Sequence, residues 1–201
     1  MKTTNTQRKP NYFMVPLNYE HYNFKQLAKE YEENNEILWE TAGKPKLKPD
    51  HKGYIIESKM ANSFKKGDII YLYVYNNPLT ALTANDKSAV LLRGVVSKEV
   101  HIEEHSKIYK ESSCDNKDTS EKVLCIGISD ITALDKQFVT STSLDVPTLT
   151  NLKNIDPDFL KPRWKTVWPN TIKGNLKDSV IKHLENQFTK YSVKSNIFKN
   201  Y

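Results

Sequence analysis

Apolar positions fall along this chain in short runs with two different spacings. Tyr12-Phe13-Met14-Val15-Pro16-Leu17 is continuously apolar, which predicts a short buried strand. Asn23, followed three residues later by Gln26, has the form of a capping box. Phe24, Leu27, Ala28 and Tyr31 then recur at i, i+3, i+4 and i+7, one stripe of a helix that the acidic stretch 30–36 brings to an end. Ile37-Leu38-Trp39 is a second brief apolar run, and residues 41–52, rich in Lys, Pro and Gly, predict an exposed loop. Tyr54-Ile55-Ile56 suits a strand or a short helix. In Lys65-Lys66-Gly67-Asp68 the glycine sits where backbone of positive φ can lead into a strand.

That strand, residues 69–75, is the strongest in the chain, because every position is β-branched, aromatic or leucine. Asn76-Asn77-Pro78 stops it. Residues 89–100 predict another strand, with Gly94 as a bulge or a point of close approach. A charged loop over 103–122 leads to a strand over 123–131, and 137–143 suits a shorter one. Residues 144–160 read as a connector with short helical turns. In the last helix Asn175 is the expected cap, with Asp178 at the third position. Leu176, Val180, Ile181, Leu184, Phe188 and Tyr191 share one face, leaving Lys177, Lys182, Glu185 and Lys190 for solvent. This order of elements predicts an α+β fold, a small twisted sheet or partial barrel flanked by about three helices.

Composition narrows the possibilities. With 201 residues, 38% hydrophobic and 27% charged, the chain suits one globular domain over 11–201, preceded by a disordered arm over 1–10. No apolar run is long enough to span a membrane, the first ten residues lack a secretory core, and two cysteines make no disulfide framework. A reducing, cytoplasmic setting is the expectation. None of the six glycines lies in GxGxxG or GxxxxGK[ST], which argues against a dinucleotide fold or a P-loop, and no cofactor is expected.

Charge is uneven. Residues 1–160 carry 21 basic and 22 acidic side chains, a net −1, whereas 161–201 carry 9 and 2, a net +7. A cationic surface of this kind attracts polyanions. Within it, Lys161-Pro162-Arg163-Trp164-Lys165-Thr166-Val167-Trp168-Pro169 interleaves cations with rings, the chemistry of phosphate neutralisation beside base stacking. Lys161, Arg163, Lys165 and Lys173 are the candidate phosphate contacts.

Catalytic patterns are weak by comparison. His101, His105, Cys114 and Cys125 could supply two nitrogens and two sulfurs to zinc, but without a C-x2-C pair, and Cys125 lies inside an apolar run. Glu57-Ser58-Lys59 echoes the end of a nuclease motif that recurs often by chance. An enzyme is not expected. Aromatic recognition remains: Tyr71, Tyr73 and Tyr75 alternate along one strand face, either packed under a helix or joining Trp39 to wall a slot for a planar ligand. Asn18 or Asn76 would read the polar edge of that ligand.

The succession of Tyr12-Phe13-Met14-Val15-Pro16-Leu17, a helix, Trp39, then Lys66-Gly67-Asp68-Ile69-Ile70-Tyr71-Leu72-Tyr73-Val74 and Leu92-Arg93-Gly94-Val95-Val96 resembles the EVE domain family of the PUA-like superfold. The resemblance covers about residues 11–135. It implies a β pseudo-barrel with helices packed around it and an aromatic-lined pocket for a modified nucleobase, as in the related YTH domains. It also implies a reader that works beside a modification-dependent restriction system, with a nuclease or motor subunit as partner. Mapped here, Trp39 and the Tyr73/Tyr75 end of its strand would wall the pocket, with the Pro16-Leu17-Asn18 strand end as its floor. The expected function is therefore a reader of a flipped, modified base in DNA or RNA. The rival readings are a protein-interaction module that offers its last helix to a partner's groove, and a metal-dependent nuclease using Glu57 and Lys59.

Overall fold

The computed structural model describes residues 8–18, 24–41, 44–57, 59, 62–75, 89–104, 122–159, 172–173 and 176–193, of which 16–18, 24–26, 75 and 172–173 are described by backbone alone. The chain runs β1 (Tyr12–Asn18), α1 (Phe24–Asn34), β2 (Glu36–Glu40), β3 (Lys46–Leu47), β4 (Tyr54–Ile55), β5 (Ile69–Tyr75), β6 (Ala89–Glu104) and β7 (Lys122–Leu134). It continues through α2 (Lys136–Val139), α3 (Leu149–Ile155), β8 (Ile172–Lys173), α4 (Asp178–Tyr191) and β9 (Ser192–Val193). The α+β class is as expected.

One sheet carries the fold, in the order β2-β7-β6-β5-β1-β8, with β9 pairing β7 and a separate β3-β4 ribbon. Every pairing is antiparallel except that of β1 with β5. Among the described residues no pairing joins β2 to β8, so the expected pseudo-barrel is not closed by a strand ladder. Apart from the half-buried Tyr12, the apolar run of β1 and the β-branched and aromatic run of β5 are buried wherever their side chains are described, with Phe13, Met14, Ile70 and Leu72 fully enclosed. That is the behaviour of strands covered on both faces.

The turn before β5 has the predicted form. Gly67 has φ +89°, and its amide donates to Val96 O at 2.9 Å. Asp68, fully buried, accepts from the amides of Lys65 (2.8 Å) and Asn11 (2.9 Å) and from Arg8 Nη2 (2.6 Å). Arg8 to Pro10 therefore do not belong to a disordered arm: a buried carboxylate needs its hydrogen bonds, and the segment before β1 supplies two of them. Gly94 is both a bulge and a close approach. The β6–β7 register shifts at it, between Arg93 and Val95, and a Cβ there would meet Ile128 Cγ2 at 2.4 Å.

Three further expectations are corrected. Residues 137–143 are not a strand, because the Asp135 carboxylate accepts from the amides of Gln137 (2.9 Å) and Phe138 (3.2 Å) and starts α2 instead. Helix α4 begins at Asp178 behind Lys177, with no side-chain cap, rather than near Asn175, which lies outside the described residues, as does Asn23. Within 41–52, Lys46 and Leu47 form a strand paired to Tyr54 and Ile55.

Helix α4 lays Val180, Leu184 and Phe188 into the core. The stripe that would have docked in a partner's groove is thus used internally. Phe138 of α2 stacks on Tyr191 at 3.9 Å and 7°, and Lys177 reaches Asp156 at the end of α3 (2.5 Å).

Candidate nucleic-acid interface

Parallel pairing of β1 with β5 brings the two strands' carboxyl ends to one edge of the sheet. In that register Leu17 lies beside Val74 and Asn18 beside Tyr75. The first residue of β6, Ala89, pairs with Val74 there and bridges to Thr148, the cap of α3, while the Val90 amide donates to Pro147 O (3.0 Å). β8 runs antiparallel to β1, with Ile172 opposite Met14 and Lys173 opposite Phe13. β8 thus lies beside the first half of β1, with Lys173 five positions from the row of Asn18. Four expected contact residues, Leu17, Asn18, Tyr75 and Lys173, thus lie on three neighbouring strands. Asn76, Lys161, Arg163 and Lys165 lie outside the described residues.

Trp39 does not join them. It pairs with Ile126 in β7, on a row that crosses β6 between Lys98 and His101, whereas Tyr73 meets β6 at Val90. At about 3.3 Å per residue, that separation is about 30 Å of strand. The Trp39 ring is only 1% exposed and Tyr73 only 5%. In this structure both rings are core rather than the walls of an open slot, because each stands on the face of its strand that the rest of the fold covers. Sequence pattern cannot separate such a face from an open one, since both demand apolar residues at alternate positions.

Tyr71 shows what covers its face. Its ring is fully buried, packed between Tyr12 (6.2 Å, 17°) and Phe188 of α4 (6.0 Å, 30°). Its hydroxyl donates to Glu185 Oε1, which also accepts from Arg93 Nε at 2.8 Å, while Arg93 Nη2 reaches Oε2 at 3.3 Å. Burial and the Glu185 carboxylate both hold the Tyr71 phenol above its ordinary pKa. Burial pulls the Arg93 guanidinium down, but its bonds to Glu185 outweigh that and raise it. Glu185 is thus turned inward, not toward solvent as its charge suggested. The signal was present: Glu185 follows Ile181 by four residues and precedes Phe188 by three, on the apolar stripe itself.

The candidate zinc ligands divide. His101 and Cys125 are cross-strand partners, with Sγ 3.3 Å from Nε2, while His105 and Cys114 lie outside the described residues. Burial, and then the nearby Glu103 carboxylate, push the Cys125 thiol up to about 12. Among the described residues no group of three or more His, Cys, Asp or Glu is gathered to hold a metal. Glu57 pairs with Lys46 on the β3-β4 ribbon, and that contact lowers its carboxyl pKa. Among the described residues no helix is long and apolar enough to cross a membrane.

No family model and no curated protein sequence matches the chain. Among solved structures, a hypothetical protein from Leishmania major is similar over 89% of this chain and 94% of its own, with 11% identity and a TM-score of 0.48. Human THYN1, solved in complex with 5-methylcytosine containing DNA, is similar over 88% of this chain and 96% of its own, with 9% identity and a TM-score of 0.45.

Proposed function

We propose that this protein is a non-catalytic, EVE-like nucleic-acid reader that takes a flipped base at the paired ends of β1 and β5. The observation that carries this reading is the parallel register placing Asn18 beside Tyr75. A hydrogen-bonding amide and a ring on adjacent strand ends suit the edge and the face of a base. The segment that leads into β8 contains Lys161, Arg163 and Lys165 among its cations. In this reading they hold phosphates with Lys173, Asn76 joins Asn18 at the base edge, and Leu17 and Tyr73 support the site from beneath. Trp39 has no part in it.

The finer features rest on the resemblance of the Lys66-Gly67-Asp68 strand and the Gly94 strand to EVE domains. They are a modified base as the target, a cytoplasmic restriction or defence system as the setting, and a nuclease or motor subunit as partner. A binding screen tests the reading, using DNA and RNA oligonucleotides with unmodified, methylated or hydroxymethylated bases. Tyr75→Ala should weaken binding by about 1–3 kcal/mol, the worth of one stacked base, and Asn18→Ala should erase the preference among bases. Wild-type affinity and preference in both variants would remove the site from the β1–β5 end.

A further inference from the structure

The near-neutral balance of residues 1–160 conceals a second basic cluster. Residues 44–66 hold seven lysines against Asp50 and Glu57, a net +5, which leaves the rest of 1–160 at net −6. Part of this segment is the β3-β4 ribbon, in which Lys46 lies opposite Ile55 and Leu47 opposite Tyr54. Its tip is firmly built. The Lys48 amide donates to Gly53 O (3.0 Å), the His51 amide to Lys48 O (2.9 Å), and the Lys52 amide to Asp50 Oδ1 (2.9 Å). His51 and Gly53 take the left-handed backbone that so tight a return requires, with φ 54° and 99°. At the foot, Ile56 packs against the main core and Lys46 pairs with Glu57.

Nothing within the described residues covers the ribbon. All four strand residues are exposed, including Leu47 (52%), Tyr54 (38%) and Ile55 (44%). Residues directly opposite in an antiparallel pair stand on the same face, so Leu47 and Tyr54 form one small platform. Lys48 and Lys52, both exposed, flank it toward the tip. A ring backed by one aliphatic side chain, with two cations on its tip side, is complementary to a base and the phosphates next to it. It is much too small for a protein partner, whose footprint is about 800 Å² on each side.

We infer that the β3-β4 ribbon is a second nucleic-acid contact, at which Tyr54 stacks on an unpaired base while Lys48 and Lys52 neutralise the neighbouring phosphates. This rests on the nucleic-acid reading above, but uses none of the residues assigned there. The test is fluorescence anisotropy of the full-length chain with a single-stranded oligonucleotide across a salt series. Tyr54→Ala should weaken binding about tenfold with an unchanged salt slope, Tyr54→Phe should restore it, and Lys48→Gln with Lys52→Gln should flatten the slope by about 1.4. Because these residues are exposed, the thermal melts should match the wild type. If the ribbon variants bind like the wild type while Lys161→Gln with Arg163→Gln still weakens binding, this inference falls and the main reading stands. A wild-type chain that binds no oligonucleotide overturns both.

Discussion

Trp39 shows how a single residue's role depends on register rather than on identity. As an aromatic just after α1 it suits the wall of a base pocket, yet its pairing with Ile126 and its near-complete burial make it part of the core. Trp39→Ala should therefore act on stability. Loss of so large a buried side chain costs roughly 3–5 kcal/mol, readable as a lowered urea midpoint. Base preference, measured well below that midpoint, should be unchanged. A variant of normal stability that had lost base preference would return Trp39 to the site. Asp68 teaches the converse lesson. The sequence marks it as part of a turn, and it is that, but its carboxylate also gathers Arg8 and Asn11 from the segment before β1. No spacing rule reveals such a link, because the partners are 60 and 57 residues away.

At the scale of elements, what was legible follows the strength of the local signal. β1 and β5 lie where their continuous apolar runs put them, because strands covered on both faces need such runs, and α1 lies where its 3.6-residue stripe puts it. The Gly67 turn and the Gly94 bulge were legible because each needs a residue without a Cβ. Residues 137–143 misled because a short apolar pattern suits a strand or a helical turn equally, and the capping carboxylate of Asp135 decided it. Helix α4 was found by its stripe, but its docking through Glu185 was not. That docking has a consequence in alkali. Tyr71 keeps its proton in the folded chain, whereas an unfolded tyrosine releases it from about pH 10 upward. The unfolded state then binds fewer protons, so this contribution to stability is present below pH 10 and falls as pH rises above it. Melting temperatures at about pH 9 and 11 should show a smaller alkaline drop in Tyr71→Phe than in the wild type, and equal drops would place the phenol outside this linkage.

Over the whole molecule, the sheet divides labour between its two ends. One end, where β2 leaves the sheet and β5 enters it, is tied by the Gly67 turn, Asp68 and the Lys65–Glu99 ion pair (3.0 Å). The other is where β1 and β5 finish side by side. The candidate site was legible in part. Residues flanking a strand's end could be named from the sequence, and the parallel register sets the positions of Asn18 and Tyr75 side by side. The extent of the slot was not legible, because long-range pairing decides which rings stay at an edge and which are enclosed. The charge of the chain belongs to this scale as well, and it gives the account its most direct test. The affinity of the wild-type chain for an oligonucleotide should be measured from about 50 to 200 mM salt, beside a variant carrying Lys161→Gln, Arg163→Gln and Lys165→Gln. The account predicts a steep linear loss of log affinity with log salt, and a slope shallower by about 2 to 3 in the variant. Affinity that ignores salt, or a slope unchanged by the three substitutions, would contradict it.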